Sequence, residues 1–180
     1  MRMVRIFAAC VLCLILRSNL NATMIVPISV EELTRRASDV VEATVLNSWS
    51  AWNPQHTLIY TYTQMQVIQS LKGTSQSITV KQIGGKVGNV TQKVAGVRQF
   101  QIGEQAMLFL RPSQAGDGTH VIVGLMQGNF RIARSTTGEM IASNGVSGVH
   151  SLQQGKVEHY AGASMRLADL ESVVRGALTQ

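Results

Sequence analysis

Cysteine is scarce, and it sits where it cannot crosslink a fold. The 180 residues contain two, Cys10 and Cys13, both inside the apolar run "IFAACVLCLIL" from Ile6 to Leu16. Arg2 and Arg5 precede that run, and Arg17 closes it. Its eleven residues would rise about 16 Å as a helix, about half the hydrocarbon core of a bilayer, so the run is too short to span one. A basic start, a short apolar centre and a small residue downstream describe a secretory signal peptide over residues 1–22, with Ala22 the expected last residue removed. A lipoprotein cysteine would follow the apolar run rather than divide it. The mature chain then has no cysteine and no disulfide, although an exported protein would be allowed them. It also has no transmembrane segment once the signal is gone. The expectation is a bacterial protein exported to the periplasm or the medium. About 158 residues remain, enough for one domain with its own core.

Acidic residues are missing from a long stretch. No Asp or Glu occurs between Ala43 and Gly103, while Lys72, Lys81, Lys86, Lys93 and Arg98 do. The whole chain carries a net charge of +6. Losing Arg2, Arg5 and Arg17 with the signal leaves thirteen basic against ten acidic side chains, or +3. The acid-free segment holds +5 of that and the rest of the mature chain −2. Such asymmetry bears on partners rather than on fold.

The patterning is mostly β. "SVEELTRRAS" predicts a short helix, with Ser29 as cap, Glu32 completing a capping box, and Val30, Leu33 and Ala37 on one face. "DVVEATVLNSW" alternates, placing Val41, Ala43, Val45 and Trp49 on one face and Glu42, Thr44 and Ser48 on the other. "WNPQHT" reads as a turn. "LIYTYTQMQVIQSL" is a second long strand, with Ile59, Met65, Val67 and Leu71 on one face and Tyr60 and Tyr62 on the other. "SITVKQI" turns Ile78 and Val80 inward. "AMLFLR" is apolar on both faces, the mark of a strand covered on each side. "VIVGLM", "GNFRIA" and "EMIAS" give further strands, with Gly124 and Gly128 at bends or bulges. Leu170, Val173, Val174 and Leu178 recur at helical spacing near the end.

This order predicts a mainly β chain: a small, partly open, OB-like Greek-key barrel of six or seven strands, with a short N-terminal and a C-terminal helix. A β-sandwich is the alternative. The expected organisation is a barrel domain over 23–143, a flexible linker over 144–164 and the C-terminal helix over 165–180. The motifs "SDVVEATV", "IYTYTQMQV", "LKG", "ITV", "GG", "LFL" and "GLMQGNFRI" resemble a pattern of exported bacterial proteins of uncharacterised activity. That resemblance runs from about Ser29 to Ile132 and implies a barrel without implying an activity. "SDVVEATV" also resembles the first strand of the netrin-like barrel of tissue inhibitors of metalloproteinases. Those inhibitors place an amino-terminal cysteine on the catalytic metal, which this mature chain lacks, so their mechanism does not carry over.

The stretch "VKQIGGKVGNVTQKVAG", Val80 to Gly96, is rich in glycine and lysine, yet its spacing is not the G-x-x-x-x-G-K-[ST] of a nucleotide-binding loop, and no helical pattern follows it. It is expected to be a long, mobile excursion between strands, with no nucleotide and no cofactor. His56, His120, His150 and His159 fall in predicted loops and tails without metal-ligand spacing, so no metal site is expected. No G-x-S-x-G elbow occurs, and Glu104 and Asp117 fall in separate turns, so no catalytic residue is nominated. The candidate binding residues are Lys81, Lys86, Lys93 and Arg98 for anionic groups, with Trp49 and Trp52 as stacking surfaces. The expected function is a non-catalytic exported binding module for an anionic polymer, an envelope component or another exported protein. The alternative is a hydrolase of unrecognised type.

Overall fold

The computed structural model describes residues 23–145, 149–153 and 156–180; the expected signal peptide lies outside them. The first helix, α1 (Val30–Arg36), starts as its sequence predicts, with the Ser29 hydroxyl accepting from the Glu32 N–H at 3.2 Å. The box is only half made. The Glu32 carboxylate turns instead to Arg35 and Arg36 one turn on, which hold it below the usual carboxylate range.

Two long strands follow, β2 (Asp39–Trp52) and β3 (Ile59–Lys72), preceded by β1 (Thr23–Ile25). β4 (Ser77–Ile83), β7 (Gln105–Pro112) and β8 (His120–Ile122) join them. The hydrogen-bonded order β7-β2-β3-β4-β8 returns to β7, because β8 pairs with both β4 and β7. Four of these contacts are antiparallel, and β4–β8 is parallel. The result is a closed five-stranded mixed barrel. It corrects two expectations, the partly open barrel and the count of six or seven barrel strands, and closure also removes the sandwich. The short β8 makes the difference: it pairs with the end of β7 from Leu110 to Pro112, past the stretch that continues into the extra strands, and bridges to β4 at Val80.

β7 explains why the molecule has two cores. Ala106, Leu108 and Leu110 point into the barrel, where they meet Val41, Ala43, Val45, Met65, Ile78 and Val80. Met107 and Phe109 point outward into a second cluster with Leu33, Val40, Phe130, Leu170 and Val174. This outer layer is roofed by α1 and by α2 (Leu167–Leu178), the predicted C-terminal helix, whose Leu170 and Val174 face inward at helical spacing. β9 (Asn129–Arg134), β10 (Met140–Ser143) and β13 (Ser164–Arg166) extend the sheet beyond β7. Fully burying one such large apolar side chain is worth about 1.5–3 kcal/mol. The doubly apolar "AMLFLR" run is therefore the strand that holds both layers together.

The segment 144–164, expected as a linker, contributes β11 (Val149–Gln153) and β12 (Lys156–His159), and β11 pairs with β1. At its start Asn144 is buried, with its amide donating to Gln127 O and its carbonyl accepting from Ala163 N, both at 2.7 Å. Gln127 in turn accepts from Ile28 N at 2.7 Å and donates to Val26 O at 3.1 Å. This buried amide pair ties the first and last parts of the domain to the turn before β9.

Candidate functional site

The outer half of the β2–β3 ribbon differs from the barrel half because of one extra residue. Val45 pairs with Met65 and Asn47 with Gln64, so Leu46 has no partner and forms a bulge. A bulge shifts the alternation by one position. Inward positions are odd through Val45 and even afterwards: Ser48 meets Thr63 and Ser50 meets Thr61, hydroxyl to hydroxyl at 3.4 and 2.9 Å. Trp49, expected beside Val45, is thereby turned to the opposite face. It is 43% exposed and stacks on Tyr62, with ring centroids 5.7 Å apart. Irregularities on β3 at Ile68 and Leu71 have the same effect, and Leu71 packs on the outer core rather than beside Val67.

The glycine-rich stretch is not a bare excursion. It forms a hairpin of β5 (Gly85–Val87) and β6 (Val90–Gln92) that sits across the open half of the ribbon. Gly84 N donates to Ile59 O, Gln92 Oε1 accepts from Ile59 N, and Gly84 O accepts from the Thr61 hydroxyl, all at 2.7–2.8 Å. Gly85 is required there. Its φ is +137°, and a Cβ would lie 2.4 Å from both the Ser50 and Thr61 hydroxyl oxygens.

Between hairpin and ribbon lies a cleft of about 870 Å³. The Ser48 and Ser50 side chains face it, Trp49 between them lines it while its ring lies on Tyr62 on the other face of the ribbon, and Lys86 and Lys93 stand at its rim. Both lysines are exposed and have no acidic partner among the described residues. Two of the six candidate side chains are thus brought together, Lys86 and Lys93, while the ring of Trp49 is turned to the other face.

The other candidates are used or placed elsewhere. Lys81 binds Asp117 at 2.8 Å and lies 4.7 Å from the Tyr60 ring centroid and 5.6 Å from that of Tyr62. That hydrogen bond raises the Lys81 pKa and, with help from Thr119, holds the Asp117 carboxyl well below the usual carboxylate range. Arg98 is paired with Glu104 and donates to Asn129 Oδ1 at 3.0 Å. Trp52 stacks on His56 near the ribbon turn, with centroids 6.0 Å apart, and is not among the residues lining the cleft. Lys72 donates to Thr34 O at 2.8 Å and Ala37 O at 2.5 Å, neutralising carbonyls at the end of α1. Of the five cations in the acid-free segment, three are engaged inside the protein by groups from outside that segment.

The histidines are less scattered than their positions suggest. His150 and His159 face each other across β11–β12, with ring centroids 6.0 Å apart. His120 Nε2 lies 3.9 Å from Asp39 Oδ2. Among the described residues no group of three or more His, Cys, Asp or Glu is placed to hold a metal, and no helix is long and apolar enough to cross a membrane. Sequence reasoning missed the Ser48–Ser50–Thr61 hydroxyls, whose only signal was small polar residues at alternate positions in two facing strands. These features define a mainly β protein on a closed five-stranded barrel with a cation-rimmed cleft of mixed polar and apolar lining beside it. Comparison adds no family: no protein-family model matches the chain, and no curated protein matches it.

Proposed function

We propose that the protein is an exported, non-catalytic binding module that takes an extended anionic polymer in the cleft between the β2–β3 ribbon and the β5–β6 hairpin. One observation carries the reading: Lys86 and Lys93, the two cations of the acid-free segment that neither a carboxylate nor a backbone carbonyl engages among the described residues, stand on the rim of the same cleft. Ser48 and Ser50, which face the same cleft, offer donors and acceptors to such a ligand. Export rests on the signal-like residues 1–22. An OB-like reading of the barrel is supported by its five strands and by β4–β8 as its one parallel pair; barrels of that type bind oligomers across a sheet face and its loops.

Exposed charges act within a Debye length of about 8 Å at physiological salt, so the two lysines must work on one ligand at short range. Titration with dextran sulfate, with uncharged dextran as control, tests this at two salt concentrations. The expected result is binding of the sulfated polymer alone, weakening as salt rises. Lys86→Glu with Lys93→Glu should weaken it at least about tenfold, with an unchanged circular dichroism spectrum. Binding that ignores the double reversal would overturn the proposal.

A further inference from the structure

One pair of chemistry-bearing side chains stands apart from both the barrel core and the cleft. β11 and β12 run antiparallel, and their register sets His150 directly opposite His159. Residues opposed in this way share one face of the sheet, with Cβ atoms about 4.5–5.5 Å apart. The two rings meet edge to face, their centroids 6.0 Å apart. His159 is exposed and His150 half-buried.

The pair is available, and it has the reach of a chelate. Neither imidazole is ion-paired to a described carboxylate, whereas His120 lies by Asp39 and His56 stacks on Trp52. The buried nitrogen of His150 is Nδ1, which leaves Nε2 as the donor that can meet an ion from outside. The exposed His159 ring can turn a nitrogen to the same point. Imidazole–metal bonds are about 2.0–2.1 Å long, so two nitrogens on one ion are at most about 4.2 Å apart. Rings with centroids 6.0 Å apart come within that span by side-chain rotation, without moving the strands.

We infer that His150 and His159 form a binding site for one Cu(II) ion, held by both imidazoles across the β11–β12 pair. Neutral imidazole suits zinc, copper, iron and nickel rather than the hard ions magnesium and calcium, and among divalent ions a nitrogen site of open geometry favours Cu(II). Among the described residues no third His, Cys, Asp or Glu joins the pair, so water fills the remaining positions. His150 Nδ1 also lacks the outer hydrogen bond whose loss commonly costs a ligating histidine about 10–100-fold in metal affinity. Both features describe an open, exchangeable site rather than a structural metal. The site does not depend on the Lys86–Lys93 cleft.

Cu(II) titrated into the tag-free full chain at neutral pH tests this. In NMR spectra, sub-stoichiometric Cu(II), which is paramagnetic, should broaden the ring signals of His150 and His159 first and leave those of His56 and His120 sharp. That reading needs no variant to fold. Electron paramagnetic resonance should show the copper coupled to both imidazole nitrogens, and hydrogen exchange should slow in β11 and β12, which one ion ties together. Ni(II) and Zn(II) should bind more weakly than Cu(II), and Mg(II) should not bind. His150→Gln and His159→Gln should each weaken Cu(II) binding at least about tenfold. Lys86→Glu with Lys93→Glu should leave it unchanged. Equal broadening at all four histidines would mean adventitious surface binding only and would overturn the proposal, as would Cu(II) binding indifferent to His150→Gln and His159→Gln.

Discussion

The β2–β3 ribbon belongs to two different environments along its length. From Asp39 to Val45 it is barrel wall, with Val41, Ala43 and Val45 inside and Val40 under the helical roof. Beyond Leu46 the same two strands carry serines and threonines on the inward face and Trp49, Tyr60 and Tyr62 on the other, and the β5–β6 hairpin replaces the hydrophobic filling. The covered half is close-packed on both sides, and its contacts are non-directional and cumulative. The open half is held by a few hydroxyl and backbone hydrogen bonds, each needing its own geometry. One strand pair thus supplies both the scaffold and the candidate site, and a single bulge separates them.

Three substitutions sharpen this contrast. The largest effect should come from β7, which pairs with the covered half through Val40 and Phe109. Phe109 is fully buried, and its ring lies 5.8 Å from that of Phe130. Phe109→Ala should lower unfolding free energy by about 3–5 kcal/mol through lost transfer energy and the cavity left behind. Denaturant titration measures it, and a loss below about 1 kcal/mol would mean the outer layer does not bear on stability as its packing implies.

A smaller and local effect is expected in the open half. Gly85→Ala puts a methyl group where the Ser50 and Thr61 hydroxyls already lie, at a φ that alanine resists. It should cost about 1–3 kcal/mol of local strain, relieved by lifting the hairpin. Hydrogen exchange at Lys86 to Gln92 should quicken while Met107 to Leu110 keep their protection, and dextran sulfate binding should weaken. Uniform loss of protection in both halves would erase the distinction between them.

The smallest effect is electrostatic and tests the roof. Burial, reinforced by Glu171 on α2, pushes the Glu42 carboxyl above the usual carboxylate range. A carboxyl raised on folding contributes stability in full below its unfolded pKa, about 4.3, and loses it as pH rises through the folded value. Glu42→Gln should therefore stabilise the protein at pH 7 by less than about 1 kcal/mol, given the solvent screening at this half-buried site. Near pH 3 it should change nothing. Thermal melts at the two pH values check this, and a gain that persists at pH 3 would assign the effect to packing rather than charge.

Much of the covered half was legible in the residues. The two-faced apolar run from Ala106 to Leu110, the alternation of Val41, Ala43 and Val45, and the spacing of Leu170 and Val174 each state a burial pattern that their elements follow. The open half was not. Trp49 looks like a core residue by parity, and only the unpaired Leu46 sends it to the other face. The acid-free run gave five cations in sequence, but no local rule says that Thr34, Asp117 and Glu104 engage three of them from a distance.

By itself, then, the sequence determined which elements form and which faces they bury, because helix and strand periods are local and apolar burial depends on them directly. Tertiary structure decided that β8 closes the barrel, that a bulge inverts the ribbon, and that Lys86 and Lys93 stand at one cleft without an acidic partner among the described residues. Each of those depends on groups far apart in the chain being brought within a few ångströms, where pairing and register are set.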